Sequence, residues 1–303
     1  NIYKTMLNRL KKTVCYGTLC AATLFTQTAW AQDDNLKPAD SISSAQVVGF
    51  VDNGAQLSSE VALVMSLDNN KVLYAKNSNT VRPIASISKL LSALVIVRSK
   101  LPLDEVIVID DADIDRVKKS SSRLSVGTSL TRREALLLAL MSSENRATHA
   151  LGRTYPGGMQ AFVREMNATA RQIGMTRSRF VEPTGLSPMN VASPQDLVRL
   201  LKAVSNEPLI NQFSTSDDYQ VTTSNGRLQK YRNTNRLIRN NDWDIDISKT
   251  GYIREAGDCL VMITEIEGQN MAVVLLNAQG RVTRFSDAVR VRHLVQNDYP
   301  SLY

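Results

Sequence analysis

A chain of 303 residues with 43% hydrophobic content can bury one large core or two small ones. Its net charge of +7 shrinks on inspection, because Lys4, Arg9, Lys11 and Lys12 all precede the first acid and leave +3 (+7 less those four) for the remainder. With no basic run interleaved with aromatics, that mild excess argues against nucleic acid as a partner.

The four basic residues open a secretory-signal pattern. Apolar Thr13–Phe25 follows them, and Ala29-Trp30-Ala31 supplies a small-x-small cleavage site, with cleavage expected after Ala31. The apolar part is too short for a membrane-spanning anchor. The residues before Cys20 do not resemble a lipobox, and the apolar stretch runs on past it. Residues 1–31 are therefore read as a signal peptide, 32–45 as a polar linker and 46–303 as the folded domain, exported to the periplasm without a stable membrane anchor. Cys15 and Cys20 leave with the signal, so Cys259 stands alone and no internal disulfide can form. Its strand-like run, Asp258–Met262, makes it core filling.

Glu60–Leu67 and Lys71–Ala75 flank Asp68-Asn69-Asn70 as a hairpin. Pro83 precedes an apolar helix expected from Ser86 to Val97. A short strand is expected at Glu105–Ile109, and Thr131-Arg132-Arg133-Glu134 is a capping box opening the helix Ala135–Met141. Helices follow at Arg146–Leu151 and Met159–Ile173, the latter ended by Gly174. Glu182–Pro188 reads as a rigid turn-rich loop, and Ser193-Pro194 caps and starts another helix. Past residue 215 the period changes. Tyr219–Leu228, Ile245–Ile253, Cys259–Ile266 and Met271–Leu276 read as strands, and Arg281–Val295 as a last helix. One sheet built from both chain ends, with helices packed around it and a mostly helical middle, satisfies that order: an α+β (α/β) architecture.

Three short stretches carry chemistry. Ser86 and Lys89, three apart at a helix start, share a face and form a hydroxyl–amine pair. An unprotonated Lys89 can take the Ser86 proton, while free N–H groups at the helix start favour nearby negative charge. Ser-x-x-Lys alone arises by chance about once per 250 residues at ordinary usage. Ser143-Glu144-Asn145, at a helix–helix break, adds a hydroxyl that can pass a proton and an amide that can bond an acyl-amide substrate. Lys249-Thr250-Gly251-Tyr252 sits on a strand, where glycine admits close backbone approach. A Lys-Thr-Gly triplet is far rarer by chance, about once per several thousand residues.

Taken in this order, the three stretches resemble the active-site set of penicillin-binding proteins and class A β-lactamases. Longer stretches, Val81–Leu91, Leu140–Ala147, Tyr155–Gly158, Glu182–Leu186, Asn190, Asp196–Leu197 and Lys249–Gly251 with Asp258–Met262, resemble the periplasmic D-alanyl-D-alanine endopeptidases of the penicillin-binding protein 7 type. The likeness spans about residues 58–295. It implies the DD-peptidase/β-lactamase fold, with an antiparallel sheet and helices on both faces. It further implies that Ser86 attacks a D-alanyl carbonyl in a peptidoglycan cross-link (D-alanine to meso-diaminopimelate). Lys89 would be the base and Ser143 a proton relay. The N–H groups of Ser86 and Tyr252 would form the oxyanion hole, a contribution of ~3 kcal/mol per donor. Asn145, Thr250 and Gly251 would bind substrate. Lys249 would raise the local positive potential and, with desolvation, depress the Lys89 pKa. β-Lactams would bind covalently as inhibitors. Larger members add a C-terminal β-domain and an amphipathic membrane helix; the residues after Lys249 are expected to be consumed by the final strands and helix.

No metal or other cofactor is called for. His149 and His293, the only histidines, lack ligand partners at useful spacing and assemble no Ser-His-Asp triad. His149 reads as an ordinary helix residue, Glu182 as a loop charge rather than a deacylating carboxylate, and Arg281 and Arg284 as helix arginines. Within the same chemistry, a DD-carboxypeptidase or a β-lactamase is the alternative; outside it, a penicillin-binding sensor or an inactive wall-binding scaffold.

Overall fold

The computed structural model describes residues 57–240 and 242–298. The signal peptide and linker expected at 1–31 and 32–45 lie outside them. In chain order the strands and helices are β1 (Val61–Ser66), β2 (Val72–Lys76), β3 (Arg82–Pro83), α1 (Ser88–Ser99), β4 (Val106–Val108), β5 (Ser129–Thr131), α2 (Arg132–Met141), α3 (Asn145–Arg153), α4 (Gly158–Gln172), β6 (Val191–Ala192), α5 (Pro194–Ser205), α6 (Pro208–Ser214), β7 (Asp218–Thr222), β8 (Leu228–Arg232), β9 (Asp244–Ile253), β10 (Gly257–Ile266), β11 (Gln269–Ala278) and α7 (Thr283–Asp298).

Five strands form one antiparallel sheet in the order β2-β1-β11-β10-β9. Both ends of the chain build it, as the strand–helix–strand order predicts. Side chains alternate across a strand, so Leu63, Val261 and Val274 face one core while Val64, Met262 and Val273 face another. With both faces covered, the central strands read as near-continuous apolar runs. Helix α5 lies on the first face and α7 on the second. Asp287 of α7 is fully buried and accepts from the Ser58 and Ser59 N–H groups and the Ser59 hydroxyl, tying the terminal helix to the approach to β1.

Helix α1 is buried from Ser88 to Ile96, the burial its apolar composition demands. It packs on α2, α4 and α5. The capping box at Thr131 and Glu134 forms with both bonds, and Ser193 caps α5 with Pro194 at its first position. Gly174 ends α4 with φ +82°.

Two expectations need correction. The helix expected from Ser86 begins at Ser88. Ala85–Ile87 is instead a 3-10 turn entered through Ala85 at φ +49°, which an α-helix cannot continue through. The strand expected at Tyr219–Leu228 is a hairpin: β7 ends at Thr222, Asn225-Gly226 turns the chain with Gly226 at φ +75°, and β8 returns.

Candidate active site

Ser86 sits in the 3-10 turn between two backbone neighbours. On one side Gly251 of β9 packs so close that an added Cβ would lie 3.0 Å from the Ser86 nitrogen. On the other, Gly185 at φ +86° presses on the Ala85–Ser86 peptide, and a Cβ there would overlap the Ala85 carbonyl. Glycine at 185 is thus a steric requirement of the Ser86 turn, and at 251 any side chain would crowd it.

Lys89 follows in the first turn of α1 and is completely buried. Its Nζ makes three 2.8 Å contacts, to Ser86 Oγ, Asn145 Oδ1 and the Thr184 carbonyl. Two of these partners are carbonyl oxygens, which only accept. A neutral amine has two N–H bonds and one lone pair, so the carbonyls take the N–H bonds and the lone pair is left for the Ser86 hydroxyl. Burial pushes the Lys89 amine down to about 7, against the pull of Glu182 and then Glu144 toward the charged form. Lys249 is buried as well and held well below the ordinary lysine range, by burial first and then by the charges of Lys89 and Arg284. Burial is the largest cause of the lowering at both lysines.

Asn145 opens α3, and its amide holds two internal partners. Oδ1 accepts from Lys89, and Nδ2 donates to Ser120 Oγ at 3.2 Å. Ser143, at φ +59° in the break between α2 and α3, is partly exposed, and among the described residues its hydroxyl has no hydrogen-bond partner. Thr250 donates its hydroxyl to Thr234 Oγ1 at 2.6 Å, and Lys249 Nζ donates to the Thr250 carbonyl at 2.8 Å.

Strand β9 is an edge of the sheet. The Ser248 N–H donates away from β10, to Ser214 Oγ. Alternate residues of an antiparallel strand point their N–H groups the same way, and the β9–β10 register is regular from Ser248 to Ile253, so the Thr250 and Tyr252 N–H groups also leave the free edge. The Tyr252 side chain is exposed.

Glu182 is a clamp for its own loop. Its carboxylate accepts from the Thr184 N–H and hydroxyl, from Gly185 N–H at 2.7 Å and from Ser187 N–H at 3.2 Å, which poises both the Thr184 carbonyl and Gly185. Asn190, fully buried, fastens this loop to α1: Oδ1 accepts from Val181 N–H, and Nδ2 donates to the Glu182 carbonyl and to Ser88 Oγ. Replacing Asn190 with Ala strands the Val181 N–H and the Glu182 carbonyl, and should cost about 2–3 kcal/mol and lower the melting temperature by roughly 5–10 °C in a thermal scan. Arg284 lies across the β9–β10 ladder, donating to the Gly251 and Cys259 carbonyls beside Asp258. Cys259 is fully buried, and burial raises its thiol to about 11, in keeping with core filling.

Sequence reading missed Ser120, the Thr184 carbonyl and Gly185. Ser120 carried no motif, Gly185 lay in the Glu182–Leu186 stretch with nothing to tie it to Ser86, and a backbone carbonyl leaves no residue-type signal at all.

Residues 48–280 match the family described as D-alanyl-D-alanine carboxypeptidase. A D-alanyl-D-alanine endopeptidase of Pseudomonas aeruginosa is 47% identical over 242 residues, covering 80% of this chain and 78% of its own. One of Escherichia coli is 44% identical over the same shares. Among solved structures, a Streptomyces DD-transpeptidase superposes with a TM-score of 0.73 at 25% identity over 79% of this chain and 97% of that one. A penicillin-binding protein of Listeria monocytogenes in its ampicillin-bound form gives 0.67 at 28% identity, over 79% and 97%. With a match that runs from ahead of β1 past β11, and relatives this similar across most of both chains, the protein belongs to the D-alanyl-D-alanine carboxypeptidase family of serine peptidases.

Proposed function

We propose that the protein is a serine D-alanyl-D-alanine endopeptidase that hydrolyses D-alanyl cross-links in peptidoglycan and is acylated by β-lactams. The observation that carries this reading is the buried Lys89 amine 2.8 Å from Ser86 Oγ, with its N–H bonds spent on Asn145 and Thr184. Ser86 Oγ attacks the D-alanyl carbonyl and passes its proton to Lys89 Nζ. The Ser86 and Tyr252 N–H groups hold the oxyanion, which a free strand edge beside the turn allows. As the C–N bond breaks, the leaving amine receives a proton through the Ser143 hydroxyl. Water then attacks the acyl-enzyme, losing a proton to Lys89 Nζ, which returns it to Ser86 Oγ as the acyl–oxygen bond breaks. Asn145 keeps one N–H for the substrate carbonyl, Thr250 lies at the leaving side, and Lys249 and Gly251 shape the β9 wall.

Digestion of cross-linked muropeptides by the purified protein tests the assignment: monomers should appear. Release of D-alanine without monomers would make it a carboxypeptidase, and rapid turnover of penicillin a β-lactamase. Because the reactive amine is the neutral one, acylation should rise about tenfold per pH unit below 7 and level off above it, read as the second-order rate of labelling by a fluorescent penicillin. A flat profile between pH 5 and 8 would exclude Lys89 as the base. The reading places the protein in the periplasm, with residues 1–31 as its signal, 32–45 as a linker and 46–303 as the catalytic domain. Among the described residues no helix is long and apolar enough to cross a membrane.

A further inference from the structure

The base depends on which way round the Asn145 amide sits. Oδ1 accepts from Lys89 Nζ at 2.8 Å, and Nδ2 donates to Ser120 Oγ at 3.2 Å. Neither partner enforces that sense by its type. A neutral amine offers a lone pair as well as N–H bonds, and a hydroxyl can donate as well as accept. Turned over, the amide would donate Nδ2–H to the Lys89 lone pair and close the base to Ser86. It would also aim an acceptor, in place of a donor, at the substrate carbonyl.

What selects one sense lies a step further out. Ser120 is half-buried in the loop between β4 and β5. Its N–H donates to Asp115 Oδ2 at 2.9 Å, while Asp115 Oδ1 accepts from the Val117 and Lys118 N–H groups, each at 3.0 Å. Burial by itself would raise the Asp115 carboxyl. It is nonetheless held below its usual range by the Ser120 and Lys118 N–H groups, then by the Ser120 hydroxyl and the Val117 N–H. Asp115 is thus ionised at neutral pH and can only accept, so the Ser120 proton turns toward it. Ser120 Oγ then has lone pairs alone for Asn145, and a lone pair calls for Nδ2. The protons are ordered from the loop inward: Asp115 takes that of Ser120, Ser120 takes one from Asn145, and Asn145 Oδ1 takes one from Lys89.

On the reading that Lys89 is the base, we propose that Asp115 is a positioning residue of the reaction. Acting through Ser120, it fixes the sense of the Asn145 amide and keeps the Lys89 lone pair open to Ser86. Its own hydrogen bonds go to residues 117–120 of the loop.

The arrangement carries a pH signature that loop support alone lacks. As an ammonium, Lys89 has no lone pair, requires Oδ1 and holds the amide unaided. Only the neutral amine admits the turned amide. Asp115→Asn keeps the shape of the side chain but presents an N–H to Ser120, whose proton then turns to Asn145 Oδ1. Labelling by a fluorescent penicillin should therefore fall about tenfold at pH 8, yet stay within about twofold of the parent at pH 5. The midpoint should drop by about one pH unit, because a tenfold excess of closed, neutral amine is worth one unit of proton affinity. Glu182, Glu144 and Lys249, the charged or titratable groups that face Lys89, are left untouched.

Ser120→Ala leaves the Val117 and Lys118 bonds to Asp115 in place and removes the acceptor of Nδ2. It should show the same convergence with the parent at low pH, and it decides the matter if Asp115→Asn does not fold. In an Asn145→Ala background, Asp115→Asn should cost nothing further. A loss by one factor at every pH, no loss at all, or a further loss in that background overturns the role of Asp115 while the peptidase assignment stands. A parent whose labelling does not rise with pH overturns Lys89 as the base, and this inference with it.

Discussion

Lys89→Met should fold and yet lose acylation by a fluorescent penicillin about 10³–10⁴-fold. Methionine matches the length of the lysine stem in a pocket that excludes water, so packing on α1 is kept. Two stability effects then oppose. The substitution removes an amine whose burial is costly, but it leaves Asn145 Oδ1 and the Thr184 carbonyl without the bonds they receive from Nζ. The melting temperature should therefore move by no more than about 5 °C. A folded Lys89→Met labelled within tenfold of the parent rate would mean that another group takes the Ser86 proton.

The same amine couples stability to pH. Its native pKa of about 7 lies below the ordinary 10.5, so between these values the unfolded chain binds more protons than the native one. Stability from this group is thus lowest near pH 7 and below, and grows as pH rises toward 10.5. Lys89→Met should remove that upward slope from a denaturant series at several pH values.

Gly185→Ala should be the most damaging single-methyl change near the site. The added carbon meets the Ala85 carbonyl and lies 2.8 Å from the Ser86 nitrogen, backbone atoms that cannot rotate away. Ala85 already occupies φ +49°, so the turn has little room to yield. We expect a stability loss on the order of 3–5 kcal/mol and, in whatever folds, at least ~100-fold slower acylation, because Ser86 is pushed off its line to Lys89. Gly226→Ala is the matched control. Its φ is +75°, but nothing lies within 4 Å of the new carbon, so it should cost about 1 kcal/mol and leave labelling at the parent rate. If both variants label alike, steric support of the nucleophile's turn is not what Gly185 provides.

These contrasts show what could be read from the chain before any coordinates. The two-ended sheet was legible because Val61–Ser66, Cys259–Ile266 and Met271–Leu276 are apolar runs of strand length, and the chain order leaves them one way to meet. The pairing of Ser86 with Lys89 was legible from a three-residue spacing that survives even though Ser86 lies in a 3-10 turn just ahead of the α-helix. The hairpin at Thr222–Leu228 was missed although Asn225-Gly226 is a strong turn signal, because the apolar alternation of Tyr219 and Val221 was extended through it. The reach of Asn145 to Lys89 and Ser120, and the acceptor at Thr184, depend on how loops 56 and 95 residues away from Lys89 are folded against it. Side-chain type could nominate Asn145, but not say that its amide is already engaged. The lowering of Lys249 is equally invisible in the sequence, since burial is a property of the assembled fold.

The strand at the middle of the sheet is also the last one made. Because β11 separates β1 from β10, a nascent polypeptide that stops short of Ala278 holds two half-sheets, each with an unprotected apolar border. Closing them requires segments some two hundred positions apart to find each other, which makes assembly slow and the waiting intermediate adhesive. The enzyme thus has no means of maturing piecemeal: its catalytic cleft comes into being only once the stretch through Ala278 has emerged.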